Sequence, residues 1–240
     1  SESVQKNINL KIATVEGDDL IDYQDKLSKM NVKEIDSEKS LPENLLSINV
    51  YLGANPIKRA LDLGADIVLT GRCVDSALAL GPLMHEFKWG TNELDFLASG
   101  SLVGHIIECG AQATGGNYSF FQEVPSFLNI GYPIAEIFED GSFTITKHPG
   151  TGGLVSVGTV TAQLLYEIGS PAYVNPDVIG HFDTLKMEQE SEDRVHVSGC
   201  RGSSAPKSHK VCVNLAGGFR NGTEILLTGL DIGEKAKLVT

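Results

Sequence analysis

His105, Glu108, Cys109 and Gln112 recur at three- and four-residue spacing, so on a helix they share one face within an arc of about 100°, together with Ser101. Leu102, Ile106 and Ala113 flank that arc. The face carries no lysine or arginine, unlike a solvated helix face, and is expected to line a cavity or an interface. Such a set offers three chemistries: a His/Glu acid–base pair, a cysteine nucleophile beside a base, or a metal site. The structural alternative is a buried hydrogen-bonded cluster in which Cys109 is a small apolar side chain. A second candidate is the loop Lys147-His148-Pro149-Gly150-Thr151-Gly152-Gly153 ahead of a helical stretch. Converging backbone N–H groups, the positive end of the helix and the Lys147 charge suit a carboxylate, a phosphate or a thioester oxyanion. The lysine precedes the glycines, so this is not a P-loop. The plain alternative is a turn that needs positive φ angles, with Thr151 capping the helix.

Arg72 and Asp75 follow the apolar run Ala65 to Thr70, and ligands of open α/β sheets gather at the carboxyl ends of strands. Asp75 could equally cap the next helix, with Arg72 paired to a nearby carboxylate. Gln163 and Glu167 stand four residues apart after the glycine loop, directed at its ligand or at each other. His85-Glu86 reads as structural, and Glu16, Asp18 and Asp19 form an acidic turn that could hold Mg²⁺ or a ribose hydroxyl. Neither a GxSxG elbow nor a GxGxxG fingerprint after a strand occurs, which removes support for serine-hydrolase and dinucleotide-binding readings.

These residues need elements to position them. LKIATV (Leu10 to Val15) and ADIVLT (Ala65 to Thr70) read as strands, the second as a buried parallel strand. Asn55 to Leu63 reads as an amphipathic helix closed by Gly64. A further helix starts near Asp75 and is expected to break at Gly81-Pro82. The chemically rich helix is expected over Leu97 to Thr114, stopped by Gly115-Gly116. Beyond about residue 130, Ile134 to Phe138 and Phe143 to Thr146 flank Asp140-Gly141, a hairpin signal. Val157, Val160, Leu164 and Ile168 keep helical spacing. Arg194 to Ser198, Lys210 to Leu215 and Thr223 to Thr228 read as strands, with turns at Gly217-Gly218 and Asn221-Gly222. Ser1 to Asn9 reads as a frayed end, and Lys33 to Glu43 as an exposed loop or a poorly packed helix.

The composition fits a globular chain of 240 residues, with 41% hydrophobic and 21% charged residues. Its 19 basic and 31 acidic side chains give a net charge of −12, which argues against nucleic acid or an anionic membrane surface as partner. No apolar run is long enough to span a bilayer. The four cysteines, at 73, 109, 200 and 212, form no CxxC pair, so reduced thiols in a cytoplasmic setting are expected.

Several segments together resemble the acyclic terpene utilisation (AtuA-like) family. They are GADIVLTGRCVDSALALGPLMHEFKW (Gly64 to Trp89), GHIIECGAQATGGN (Gly104 to Asn117), GYPIAEI (Gly131 to Ile137), the KHPGTGG loop, QLLYEI (Gln163 to Ile168) and YVNPDV (Tyr173 to Val178). The resemblance runs from about Leu10 to the LTGLDI segment (Leu227 to Ile232). It implies a pathway context rather than a reaction: breakdown of acyclic terpenes by steps like those of leucine catabolism, acting on branched acyl-CoA thioesters. The family pattern also has an N-terminal α/β region ahead of the segment matching Lys11 to Leu20, and further sequence after LTGLDI. The expected fold is therefore α/β. Residues 1–130 would be the C-terminal part of a larger, Rossmann-like parallel-sheet domain. Residues 131–240 would be an α+β region with the glycine loop and antiparallel hairpins.

The leading expectation is an enzyme of lyase, hydratase or hydrolase type. His105, Glu108, Cys109 and Lys147 would be catalytic, with Arg72, Asp75, Gln112, Thr151, Gly152, Gly153 and Gln163 binding an acyl-CoA or carboxylate substrate. The oxyanion would sit at Lys147, Gly152 and Gly153, with Arg72 clamping a second carboxylate. No cofactor is expected, coenzyme A entering as part of the substrate, and the chain is expected to associate with copies of itself. Alternatives are a non-catalytic module that serves a pathway carboxylase, and a metal-dependent hydrolase using His105, Glu108 and His85 or Asp18.

Overall fold

A computed structural model describes residues 9–218, 222 and 224–239. The strands run β1 (Ile12–Val15), β2 (Leu45–Val50), β3 (Ile67–Thr70), β4 (Pro133–Ile137), β5 (Phe143–Lys147), β6 (Ala172–Val174), β7 (Val178–His181), β8 (Lys186–Ser191), β9 (Arg194–Ser198), β10 (Arg201–Ser204) and β11 (Val211–Leu215). The helices are α1 (Gln24–Lys29), α2 (Asn55–Asp62), α3 (Ala77–Glu86), α4 (Leu94–Ile107), α5 (Val157–Leu164) and α6 (Ile232–Val239).

The architecture is mixed α/β with small sheets. β1 and β3 are parallel, whereas β2–β11, β6–β7–β10 and β4–β5–β9–β8 are antiparallel. The parallel part is thus a pair of strands among the described residues. Ile67 and Leu69 of β3 are 39% and 57% exposed, so this strand is not the fully buried one its apolar run suggests. Parallel bridging of Leu52 to Cys73 and antiparallel bridging of Asp19 to Asn49 tie the pair to β2.

The antiparallel region follows its sequence pattern more closely. β4 and β5 pair from Pro133↔Lys147 to Ile137↔Phe143. Asp140 accepts the Ser142 N–H at 2.9 Å inside a connection longer than the two residues expected. Val195 and Val197 of β9 alternate inward and are fully buried. The strand expected at Thr223 to Thr228 is not formed by 224–228. Thr223, Asn221 and the first eight residues lie outside the described residues.

Two helices depart from expectation. α3 runs through Gly81-Pro82 instead of breaking there. The proline removes one backbone donor, but Leu78, whose carbonyl loses that partner, is 60% exposed and water can replace the bond. α4 stops at Ile107, because Gly110 adopts φ +54° and the chain tightens into a 3-10 turn over Gly110–Gln112. The expected helix to Thr114 is therefore divided, which turns Gln112 off the face carrying His105.

α4 is the central element, buried from Leu97 to Ile106 and packed against α3, α5, β7 and β10. Around it a core cluster draws Leu80 and Met84 from α3, Phe143 and Ile145 from β5, Val160 from α5, and Val195 and Val197 from β9. Trp89 is stacked between Phe87 and Phe96, with ring centroids 5.3 Å away on either side. No helix of the described residues is long and apolar enough to cross a membrane.

Candidate active site

A cleft of about 780 Å³ opens at the C-terminal end of α4, lined by Tyr51, Asp75, His105, Glu108, Glu167, Tyr173, Asn175 and Lys210 among others. His105 forms part of its floor and is 4% exposed. Its Nε2 lies 3.1 Å from the Leu164 carbonyl oxygen, which can only accept, so this nitrogen carries the proton. Burial pushes the His105 pKa below its ordinary value, against an opposing pull from Glu108 and Glu167. The imidazole is then neutral near pH 7 and Nδ1 is its basic atom. Gln163 fixes this stretch of α4 by donating from Nε2 to the His105 carbonyl at 3.2 Å.

Tyr173 packs beside His105 with ring centroids 5.3 Å apart. Burial and the charges of Asp75, Glu108 and Glu167 push its phenol up to about 12, which keeps it a hydrogen-bond donor. Asn175 is the most telling residue of the floor. It is 2% exposed, yet among the described residues neither Oδ1 nor Nδ2 has a partner. A buried amide normally satisfies both atoms, and leaving one bare costs about 1–3 kcal/mol. The Asn175-Pro176-Asp177 turn holds it in place. The Asn175 N–H donates to the Val178 carbonyl at 3.0 Å. Asp177 accepts the Ala54 N–H at 2.8 Å and the Asn55 amide at 3.2 Å, so it caps α2 from 123 residues away.

A protein-family model described as Acyclic terpene utilisation family protein AtuA matches residues 2–240. The chain belongs to the AtuA family. No curated protein and no solved structure matches it.

The residues expected from sequence to act in this AtuA family chain divide into two groups. His105, Glu108 and Asp75 meet in the cleft. Arg72 does not line the cleft, and its guanidinium lies 5.6 Å from the centre of the ring of Tyr51, which does. Asp75 does not cap α3, whose N-cap is Ser76. Glu167 joins the cleft wall although α5 ends before it. Cys109 lies outside the lining, donates to Glu108 at 3.0 Å, and is pushed up to about 11 by burial and that carboxylate. It is a thiol at neutral pH, poorly suited to nucleophilic attack. Gln112, beyond the Gly110 turn, keeps a buried Oε1 without a partner among the described residues but does not line the cleft.

The glycine loop forms the second group, away from the cleft lining. Lys147 is 8% exposed, and its Nζ lies 2.9 Å from Asp193 and donates to the Thr151 carbonyl at 3.0 Å. The Gly152 and Gly153 N–H groups donate to the Asn129 and Ile130 carbonyls at 2.8 and 2.9 Å. Thr151 donates to the His148 carbonyl at 2.7 Å, and Ser156 rather than Thr151 caps α5. The donors expected to receive an anion are thus engaged within the fold. A Cβ on Gly152 would stand 2.6 Å from the Ser126 and Leu128 carbonyls, so this glycine serves close chain approach.

Two of the residues weighed as metal ligands, His85 and Asp18, are also occupied. His85 Nδ1 lies 2.7 Å from Asp62, and Asp18 accepts the Arg72 N–H at 2.8 Å and the Asn49 amide at 3.0 Å. Among the described residues no three His, Cys, Asp or Glu side chains gather into a group that could hold a metal ion. Sequence reasoning passed over Asn175, Tyr173 and Lys210 as site residues. The signal available was the Asn-Pro-Asp tripeptide, whose proline-held turn presents the first side chain and anchors the third.

Proposed function

We propose that this AtuA family chain is an enzyme of acyclic terpene and branched acyl-CoA breakdown, and that the His105–Asn175 cleft takes an acyl thioester or a related carboxylic derivative. The observation that carries this reading is the buried, unpartnered Asn175 amide in the same cleft as a neutral imidazole. Nδ2 of Asn175 and the Tyr173 hydroxyl are donors suited to the thioester oxygen, where negative charge develops. His105 Nδ1 is suited to take a proton from the adjacent carbon or from an attacking water. Together these are the parts of a lyase or hydratase.

A thermal-shift titration of the purified chain with coenzyme A and short branched acyl-CoAs tests it. A ligand at 100 times its Kd stabilises a fold by about 2.7 kcal/mol. The expected outcome is a rise in Tm with an acyl-CoA that disappears in both Asn175→Ala and His105→Ala. An equal rise in wild type and both variants would remove the cleft as the site. A second reading, a module that docks on a pathway carboxylase, is favoured by exposed apolar side chains such as Leu128, Leu226 and Leu230, each more than 80% exposed. Stable co-purification with a biotin-dependent carboxylase, with no ligand-induced shift, would select it.

A further inference from the structure

The two lips of the cleft carry opposite charge. Asp75, Glu108 and Glu167 form one lip with His105 and Tyr173, Glu108 standing one turn beyond His105 at the end of α4. Lys210 forms the other, on the segment that leads into β11. Tyr51 fastens that lip by donating its N–H to the Lys210 carbonyl at 3.0 Å, and the same Tyr51 ring carries the Arg72 guanidinium. The close approach of Gly104 to the Ser76 backbone keeps Asp75 on the His105 side of the cleft, whereas Lys210 stands beyond Tyr51, whose neighbour Leu52 bridges to Cys73. The unpartnered Asn175 amide lies on the floor they share.

We propose that this polarity makes the cleft select acyl thioesters whose acyl end is uncharged, bound in one direction, with the acyl group beside His105 and the phosphate-bearing end toward Lys210. The inference rests on the function proposed above and adds the substrate class. A second carboxylate on the acyl chain would enter among three like charges, whereas coenzyme A phosphates would meet Lys210. Asn175 is neutral and suits a thioester carbonyl, which carries no charge to repel.

Pentanoyl-CoA and glutaryl-CoA share a five-carbon acyl chain and differ in one terminal carboxylate, so their affinities by isothermal titration isolate that charge. The wild-type chain is expected to bind pentanoyl-CoA about tenfold more tightly or better. In a Glu108→Gln/Glu167→Gln double variant the ratio should fall below about threefold, through tighter glutaryl-CoA binding. Lys210→Glu should weaken both ligands to a similar degree. Equal affinities in wild type, or a preference for glutaryl-CoA, would overturn the polarity inference while leaving the site in place, provided Asn175→Ala still abolishes binding. Binding of neither ligand would instead overturn the acyl-CoA reading, and the inference with it.

Discussion

At the scale of the residue, the protonation of His105 decides what the cleft can do. Its imidazole is buried against Tyr173 and Phe182, and burial disfavours the charged form. The folded chain therefore binds a proton at this side chain less readily than the unfolded chain does. Stability from this source is complete above the ordinary histidine pKa of about 6.5 and is lost as the pH falls from there toward the depressed folded value. The slope cannot exceed about 1.4 kcal/mol per pH unit for a single group. His105→Gln keeps a donor for the Leu164 carbonyl and removes the titration. Between pH 7.5 and 5.5 the Tm of wild type should fall more steeply than that of the variant, as measured by circular dichroism. Asp177, whose carboxyl is raised by burial, works in the opposite direction but is present in both proteins and cancels. Identical slopes would mean that His105 is not buried in its neutral form.

At the scale of the element, the site depends on how closely α4 approaches α3. Gly104, next to His105, is placed so that an added Cβ would stand 2.6 Å from Cα and O of Ser76, at the start of α3. Both are backbone atoms and neither can rotate away. Gly100, one turn earlier, would place its Cβ 2.6 Å from a terminal methyl of Leu80, which a rotamer change can move. Replacing a helical glycine by alanine gains about 1 kcal/mol, and overpacking costs about 1–3 kcal/mol. Gly104→Ala should therefore be less stable than Gly100→Ala by about 1 kcal/mol or more in urea unfolding, and the reverse order would refute the close approach.

Helices with a clear period, such as α2, and the β4–β5 pair were legible in the sequence because their patterning and turns agree. β6, β7 and β10 were not, since AYV, VIGH and RGSS are short and carry no steady alternation. The end of α4 at Ile107, ahead of the Gly110 turn, and the survival of α3 across Pro82 depend on tertiary packing, which overrides local propensity. The same division holds for the site. His105, Glu108 and Asp75 stand at positions that periodicity and strand ends make conspicuous. Asn175 acquires its role only when Asp177 reaches the first turn of α2, and no local pattern records that contact.

At the scale of the whole molecule, Lys147 joins parts of the chain that lie far apart. It closes β5, and its ammonium meets Asp193 in the turn between β8 and β9 and the Thr151 carbonyl in the glycine loop. Asp193 in turn accepts the Val155 N–H at 2.8 Å, just ahead of α5, whose far end supplies the Leu164 carbonyl that holds His105. The four-stranded sheet, the loop and α5 thus share one electrostatic anchor. Removing one partner of a buried ion pair typically costs about 3–5 kcal/mol. Asp193 is 25% exposed and retains the Val155 N–H, so Lys147→Ala should lose about 3 kcal/mol or less. Because Lys147 does not line the cleft, ligand binding by the folded variant should be retained within about threefold at temperatures well below its Tm. If Lys147 instead received an oxyanion, the variant would lose binding or turnover with little change in Tm. Measuring urea stability and acyl-CoA affinity on the same preparation separates the two, since an anchor moves the first quantity and an anion receptor moves the second.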